Sequence, residues 1–250
     1  MAAVRHRSTR ARTAVFAPIN NLGRAVRVEQ RLANAIWSGL LRDGEKLPSE
    51  SELAAMLGVA TVTAREALIS LRAQGLVTTV RGRGGGSFVT RPLHAADESL
   101  KTRVASMTRV ELADRGIHYS SILGGCAELA AERANEDEID ELLSIVPDPT
   151  AIGADLWRHA DTELNLAIAA LSHSAHLTRN VIRLEMEFGS LLRIPFLEAQ
   201  SWPKIRSDQV DLVAAIAEHN PAEARQHMRR RLQGQLGRLA HLHAQLRSYS

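Results

Sequence analysis

Apolar residues recur at helical spacing near the start of the chain. Between positions 24 and 41 they fall at Val28, Leu32, Ala35, Ile36 and Leu40. This spacing places them on one face of an α-helix, so the pattern predicts a first helix that packs by that face.

A second helical pattern follows a turn at positions 42–48. Ser49 stands three residues before Glu52, which is the capping-box signal for a helix start, and Gly58 is a typical helix end. A further helix is predicted from Thr61 to Ala73, closed by Gly75. Its core face is predicted to contain Val62, Ala67, Leu68 and Leu71. Two short helices that meet at a glycine are typical of a helix-turn-helix.

Two segments of alternating apolar and polar residues come next, at 76–80 and 87–90. Alternation with a period of two predicts β-strands, and the Gly/Arg-rich stretch 81–86 predicts the tip of a hairpin. A helix-turn-helix with a β-wing reads double-stranded DNA. Residues 21–92 are therefore predicted to form a winged helix-turn-helix DNA-binding domain.

Helical periodicity dominates the rest of the chain. Helices are predicted at 97–113, 117–134, 136–145, 151–172, 175–198, 203–219 and 221–247. Pro195 is expected to kink or end a helix, and no convincing strand pattern occurs after residue 92. The expected fold is mainly α, with a boundary at Arg91–Pro92 and an antiparallel helical bundle over residues 93–250.

The net charge of +3 over 250 residues hides an asymmetry. Residues 1–92 contain 14 Lys and Arg against 6 Asp and Glu, a net +8, whereas residues 93–250 contain 17 against 22, a net −5. A cationic domain suits nucleic acid, because Lys and Arg displace the counterions condensed on the phosphates. The acidic half is expected to have a function other than DNA binding.

The chain begins with a basic stretch that contains arginine and no acid in its first 13 residues. We interpret residues 1–20 as a disordered basic tail. A DNA-contacting arm is the alternative, and no apolar stretch follows that would make an export signal. A single cysteine, Cys126, rules out an internal disulfide and fits a cytoplasmic protein. No apolar run is long enough to cross a bilayer, so no membrane partner is expected.

The second helix of the motif carries the candidate base-reading residues. Arg65 lies one turn after Thr61 and shares its face, so it can bind guanine O6 and N7 in the major groove. Thr63 can reach a phosphate or a base edge, and Ser49 completes this set. A surface ion pair is the alternative for Arg65.

The hairpin tip carries the candidate minor-groove residues Arg81, Gly82 and Arg83. Glycine lets the backbone approach DNA closely, and arginine can enter a narrow minor groove. The alternative is a flexible exposed hairpin.

The motifs LPSESELAAMLGV, REAL at 65–68, GLV at 75–77 and GRGGGSFV at 82–89 resemble the winged reader of GntR-type bacterial repressors. The resemblance implies that Thr63, Arg65 and Gly82 touch DNA. This chain has Ser51 where the family usually has arginine, and Ala60–Thr61 where it often has Ser-Arg. Two cationic contacts are missing, so we expect a different operator.

The helical half is similar to the FCD effector domain of the same family. LAAERA at 129–134, the segment around Asp161 and AEARQHMRRRL at 222–232 carry the likeness. The resemblance implies six or seven helices around a ligand cavity, often with a divalent metal on one Asp and three His. Here Asp161 keeps its place, but Asn165, Gln209 and Arg231 replace the histidines.

These replacements predict that the metal site is lost and that no cofactor is bound, because amides are weak ligands and an arginine repels cations. If Asp161 and Arg231 face one cavity, they can form a buried ion pair with Asn165 and Gln209 as hydrogen-bond partners. Such a cluster could receive an acidic effector. The alternative is a purely structural cluster without an effector.

A further departure concerns the first long helices of the effector domain. The family often has an R-x-x-L-E pattern where this chain has Ser120 to Gly124, followed by Gly125. Ser120 is therefore added to the candidate effector residues, and a larger or acyl-type effector becomes plausible. The alternative is that the two glycines allow close helix packing.

The sequence as a whole predicts a homodimeric regulator that binds a pseudo-palindromic operator and responds, as a repressor by family habit, to a small molecule. An architectural DNA-binding protein with a vestigial effector domain is one alternative. An enzyme on the helical bundle is another, but it needs a nucleophile–base pair that the chain lacks. We therefore expect no enzymatic activity.

Overall fold

The described residues of the winged reader form three helices and a two-stranded hairpin. The structure is a computed structural model that describes residues 24–38, 40–82, 84–90 and 93–248. Helix α1 spans Arg24–Ser38, α2 spans Glu50–Leu57, and α3 spans Thr61–Ala73. Strands β1 (Val77–Val80) and β2 (Gly86–Val89) pair antiparallel, with Val77 opposite Val89. The predicted helix-turn-helix with a β-wing is confirmed.

The turn between α2 and α3 follows from one glycine. Gly58 adopts φ 65°, a left-handed conformation that glycine reaches without strain, and ends α2 as predicted. The axes of α2 and α3 are inclined by 112°, which is a typical angle for a helix-turn-helix.

The prediction that Val62 lies in the core of α3 is wrong. The buried face of α3 consists of Ala64, Ala67, Leu68 and Leu71. Val62 precedes Ala64 by two residues, which is about 200° around the helix, and its side chain is 58% exposed.

The helical half contains seven α-helices and two short 3-10 segments in the part of the chain that the structure describes. They are α4 (Leu93–Ser106), α5 (Arg109–Arg133), α6 (Glu136–Ile145), α7 (Ala154–Leu171), α8 (Ala175–Glu187), the 3-10 segments Gly189–Phe196 and Ala199–Ser201, α9 (Trp202–Ala217) and α10 (Pro221–Ser248). Helices α5 and α10 run antiparallel, since Met107 meets His243 and Glu128 meets Arg225. The mainly α fold is confirmed.

The predicted helix boundaries differ most from the structure in two regions. The break expected between residues 113 and 117 lies at Met107–Thr108, because the Thr108 side chain accepts a hydrogen bond from the backbone of Glu111 at 3.1 Å and starts α5. Gly116 is an interior packing position, since a Cβ there would lie 3.2 Å from Leu236. The helix predicted to reach residue 198 ends at Glu187, and Pro195 lies in the 3-10 segment that follows.

The reader rests directly on the helical half. Helix α1 packs against α8, α7 and the 3-10 segment Gly189–Phe196, and one hydrophobic core runs through both parts. The predicted boundary at Arg91–Pro92 and the predicted tail 1–20 lie outside the described residues, so the domain limits stay a prediction. No single described helix is long and apolar enough to cross a membrane, and only the bent α2–α3 pair passes such a test by length and composition.

Candidate nucleic-acid interface and buried ion cluster

Helix α2 begins in a capping box. The backbone N–H of Ser49 donates to Glu52 Oε2 at 2.9 Å, and Ser49 Oγ accepts from the backbone of Glu52 at 3.3 Å. Hydrogen bonds from the Ser49 side chain and backbone hold the pKa of the Glu52 carboxyl below its usual value. The Ser49 hydroxyl, a candidate DNA contact, therefore serves the helix cap in the free protein.

Arg65 projects from α3 beside the start of α2. Its Nε donates to Glu50 Oε2 at 2.8 Å, yet the side chain is 59% exposed. The ion pair considered as the alternative for Arg65 is thus present. Because Glu50 holds only Nε, the two terminal nitrogens are left for other acceptors, as a bidentate contact to guanine requires.

The first turn of α3 presents three neighbouring side chains. Thr61 and Val62 are exposed, and Thr63 is half-buried. The exposed valine was missed as a candidate contact. Its position between two threonines at the start of a recognition helix was the available signal, because valine suits the methyl group of thymine.

The wing tip is a tight glycine turn. The backbone N–H of Gly85 donates to Gly82 O at 2.9 Å, and Gly82 has φ +105°. A Cβ at Gly85 would lie 2.3 Å from Val80 O, so only glycine fits there. Arg81 and Gly82 are exposed at this tip, whereas Arg83 lies outside the described residues.

The second candidate site is a buried ion cluster around α7. Arg231 Nη1 donates to Asp161 Oδ1 at 2.7 Å, and its Nη2 donates to Asn165 Oδ1. Gln209 Nε2 donates to the same Asp161 oxygen at 3.1 Å. The four residues that the family resemblance selected therefore meet, as a buried ion pair with two amide partners.

Four further residues of the cluster were missed in the sequence. Arg158 donates to Asp161 Oδ2 at 3.1 Å, to Glu185 Oε2 at 2.6 Å and to Gly189 O at 2.9 Å. Tyr119 Oη donates to Glu185 Oε1 at 2.5 Å, and Gln235 Nε2 lies 3.2 Å from Asp161 Oδ1. Arg158 was detectable, since it precedes Asp161 by three residues on one helix face.

The cluster is closed and electrically balanced. Two guanidinium groups face two carboxylates, and all four side chains are almost completely buried. Burial alone would lower the pKa of the Arg158 guanidinium, but the Glu185 carboxylate and other nearby groups raise it above its ordinary value. Burial, with the Glu185 charge, raises the pKa of the Tyr119 hydroxyl. Arg158 therefore stays charged and Tyr119 stays a donor at neutral pH.

Four atoms of the cluster have no hydrogen-bond partner among the described residues. They are Nε of Arg158 and of Arg231, and Oε1 of Gln209 and of Gln235. All four atoms are buried from bulk solvent.

A divalent metal does not fit this donor set. Asp161 Oδ1 already accepts from Arg231, Gln209 and Gln235, and the Arg231 guanidinium at 2.7 Å would repel a cation at this carboxylate. The described residues contain no group of three or more His, Cys, Asp or Glu side chains that could hold a metal ion.

Ser120 lies apart from the other candidate effector residues. It lines an exposed groove of about 1130 Å³ between α5 and α10, together with Gly116, Ile117, Arg229 and Leu236. Gly124 packs on the side chain of Arg229, with its Cβ position 3.5 Å from Arg229 Cγ. A contact of 3.5 Å is an ordinary one, and a Cβ at Gly125 would meet no atom within 4 Å, so close helix packing does not require glycine at either position.

Comparisons with known proteins agree with both halves of the chain. The profile of the gntR family of bacterial regulatory proteins matches residues 24–88, and that of the FCD domain matches residues 120–234. RmpR of Mycobacterium gastri, an HTH-type transcriptional regulator by name, is 32% identical over 87% of this chain and 82% of its own length. The chain belongs to the GntR family.

Other relatives of this GntR-family protein include LutR of Bacillus subtilis, an HTH-type transcriptional regulator that is 29% identical over 76% of this chain and 89% of its own length. Among solved structures, McbR/YncC of E. coli has the same fold, with a TM-score of 0.53 and 17% identity over 88% of this chain and 98% of its own. The chain is a transcriptional regulator of the GntR type with an FCD domain.

We expect this GntR-family regulator to contain no stoichiometric zinc, nickel or manganese after purification without chelators. The reason is that an arginine stands where the metal charge would be. Elemental analysis of the protein checks this, and about one metal ion per chain would contradict it.

Proposed function

We propose that the protein binds a pseudo-palindromic operator as a homodimer and that a small molecule alters this binding. The observation that carries the DNA-binding part is the exposed Arg65, held through Nε by Glu50 at 2.8 Å. Insertion of α3 in the major groove places Thr61, Val62, Thr63 and Arg65 against base edges. The wing then presents Arg81 and Gly82 to the adjacent minor groove.

The groove between α5 and α10 is the proposed dimer face, with a second copy of this chain as its occupant. Val110 and Ile117 lie two turns apart on α5 and are 78% and 66% exposed. The groove beside them is floored by small residues, namely Ala113, Gly116, Gly237, Ala240 and Ala244. Protruding residues next to a recess make the face self-complementary, as a two-fold interface requires.

The distribution of charge also supports a second copy of this chain as the occupant of the groove. The groove is rimmed by Arg109, Arg229 and Arg247, and no carboxylate is among the described residues that line it. Asp114 stands between Val110 and Ile117 on the exposed stripe of α5. When Ile117 enters the groove of a second copy, Asp114 lies close to the arginines that line that groove.

Replacing Ile117 by arginine is expected to give a monomer, because it inserts a charge among like charges in an apolar groove. Sedimentation velocity should show the chain mass of 27.4 kDa instead of twice that value. Ile152→Arg is the matched control, since Ile152 is 85% exposed and remote from the groove residues. A dimer in the Ile117 variant would contradict the proposed face.

The effector-binding role of Asp161, Asn165, Gln209 and Arg231 stays a prediction. An acidic effector must compete with Asp161 and Glu185 for the two guanidinium groups, which these carboxylates already contact at 2.7 and 2.6 Å. This observation favours a structural role for these four residues. The protein is then either a sensor whose ligand binds elsewhere in the helical domain or an architectural protein without an effector. Thermal shift against a metabolite library separates the two, since a specific ligand must raise the melting temperature.

The proposed function is tested by selection from a random pool of duplex DNA with the full-length chain. We expect enrichment of an inverted repeat whose half-sites are about one helical turn apart, or a multiple of it. Absence of any enriched sequence would overturn the proposal. A single unrepeated half-site would overturn its dimeric part.

A further inference from the structure

A third segment of the chain pairs with the wing in addition to its two strands. Residues 44–47 run along β2 with three backbone hydrogen bonds of 2.9 Å each: Gly44 N to Val89 O, Val89 N to Glu45 O, and Leu47 N to Ser87 O. Lys46 lies opposite Phe88 in this pairing. The segment that leads into the cap of α2 therefore also borders the wing.

The Lys46 side chain extends from this edge to the wing tip. Its Nζ donates to Gly84 O at 3.1 Å and lies 5.8 Å from the centre of the Phe88 ring. Its Cε would be 2.8 Å from a Cβ at Gly86, so the glycine leaves the space that the lysine stem occupies. The wing tip is thus hydrogen-bonded to Lys46, a residue outside the hairpin.

We propose that Lys46 is a positioning residue for DNA binding: it holds the wing tip, in the free protein, in the geometry that DNA requires. This rests on the proposed function. A hairpin with strands of four residues has marginal stability on its own. The hydrogen bond from the Lys46 ammonium to Gly84 O and the cation–π contact with Phe88 restrain the tip that carries Arg81 and Gly82. A restrained tip loses less conformational freedom on binding, so affinity rises without a new contact to DNA.

The test compares Lys46→Met with Lys46→Arg on the selected operator over a range of salt concentrations. We expect Lys46→Met to weaken binding about tenfold and Lys46→Arg to restore most of the affinity, since arginine keeps the cation. The slope of log K against log salt stays unchanged, because no phosphate contact is removed. Lys204→Met, which removes an exposed lysine from α9, is the control for charge.

Two results of this DNA titration would overturn the proposal. One is unchanged affinity in Lys46→Met. The other is a fall of about 1.8 in the salt slope of the dimer, which indicates a direct phosphate contact in each subunit.

A measurement on the free protein distinguishes failure of the Lys46 proposal from failure of the proposed DNA-binding function. In the free protein, Lys46→Met should speed hydrogen exchange of the Gly85 amide, which bonds Gly82 O across the tip. Unchanged exchange there contradicts the positioning role. If the native chain binds no duplex, the proposed function fails, while the exchange result still shows whether Lys46 restrains the wing tip.

Discussion

Replacing Arg65 by alanine is expected to reduce sharply the discrimination between the operator and unrelated DNA. One bidentate arginine–guanine contact discriminates by about 1–3 kcal/mol, and a dimer makes two. The ratio of the two dissociation constants should therefore fall by a factor of roughly 30 to 10⁴. Titration of the selected operator and of a scrambled duplex measures it. The residual binding should remain strongly salt-dependent, because phosphate contacts persist.

Arg72→Ala is the matched control for Arg65→Ala. Arg72 lies in the last turn of the same helix, its Nε donates to Leu68 O at 3.0 Å, and its Nη2 lies 4.0 Å from Glu50 Oε1, whereas Arg65 contacts Glu50 at 2.8 Å. The same charge is removed, but the ratio should barely change. Glu50→Gln is expected to give an intermediate loss, because the Arg65 guanidinium keeps its charge and loses its orientation. An unchanged ratio in Arg65→Ala would refute base reading by this residue.

Replacing Asp161 by alanine is expected to lower the free energy of unfolding by about 3–5 kcal/mol. The substitution leaves two buried guanidinium groups with one carboxylate, and an unpaired buried charge costs several kcal/mol. Asp161 also accepts from Gln209 and Gln235, whose amides lose their acceptor. Thermal unfolding followed by circular dichroism should show a Tm lower by roughly 10 °C.

Glu128→Gln provides the comparison for Asp161→Ala. It breaks the Arg225–Glu128 pair of 2.5 Å at the surface, where both side chains are more than a third exposed. A surface ion pair contributes about 0–1 kcal/mol, so its Tm should move little. Equal, small effects of the two substitutions would mean that the cluster is hydrated and adds little to stability.

Local signals were sufficient to predict the reader. The capping box at Ser49 and the left-handed turn at Gly58 act within a few residues, and both occur in the structure. Val62 was misplaced because apolar character alone does not tell a core face from a DNA-facing one. The core face of α3 is defined by Ala64, which the periodicity argument had passed over.

The cluster could be predicted only in part. Asp161, Asn165, Gln209 and Arg231 were found through family positions that already share a cavity. Glu185 reaches Arg158 across 27 residues of chain, and Tyr119 reaches Glu185 across 66. In the sequence, both resemble ordinary helix residues. Their partners are decided by how α5, α7 and α8 pack, and no local pattern reports that.

Helix α10 contributes side chains both to the buried ion cluster and to the proposed dimer face. Arg231 and Gln235 point into the buried charges, whereas Arg229, Gln233 and Leu236, on the same 28-residue rod, line the proposed dimer face. A twist of this rod about its long axis therefore disturbs both sides together. In the proposed dimer, a rearrangement of the buried charges would therefore also shift the dimer face, and with it the spacing of the two DNA-binding domains, with no loop between them.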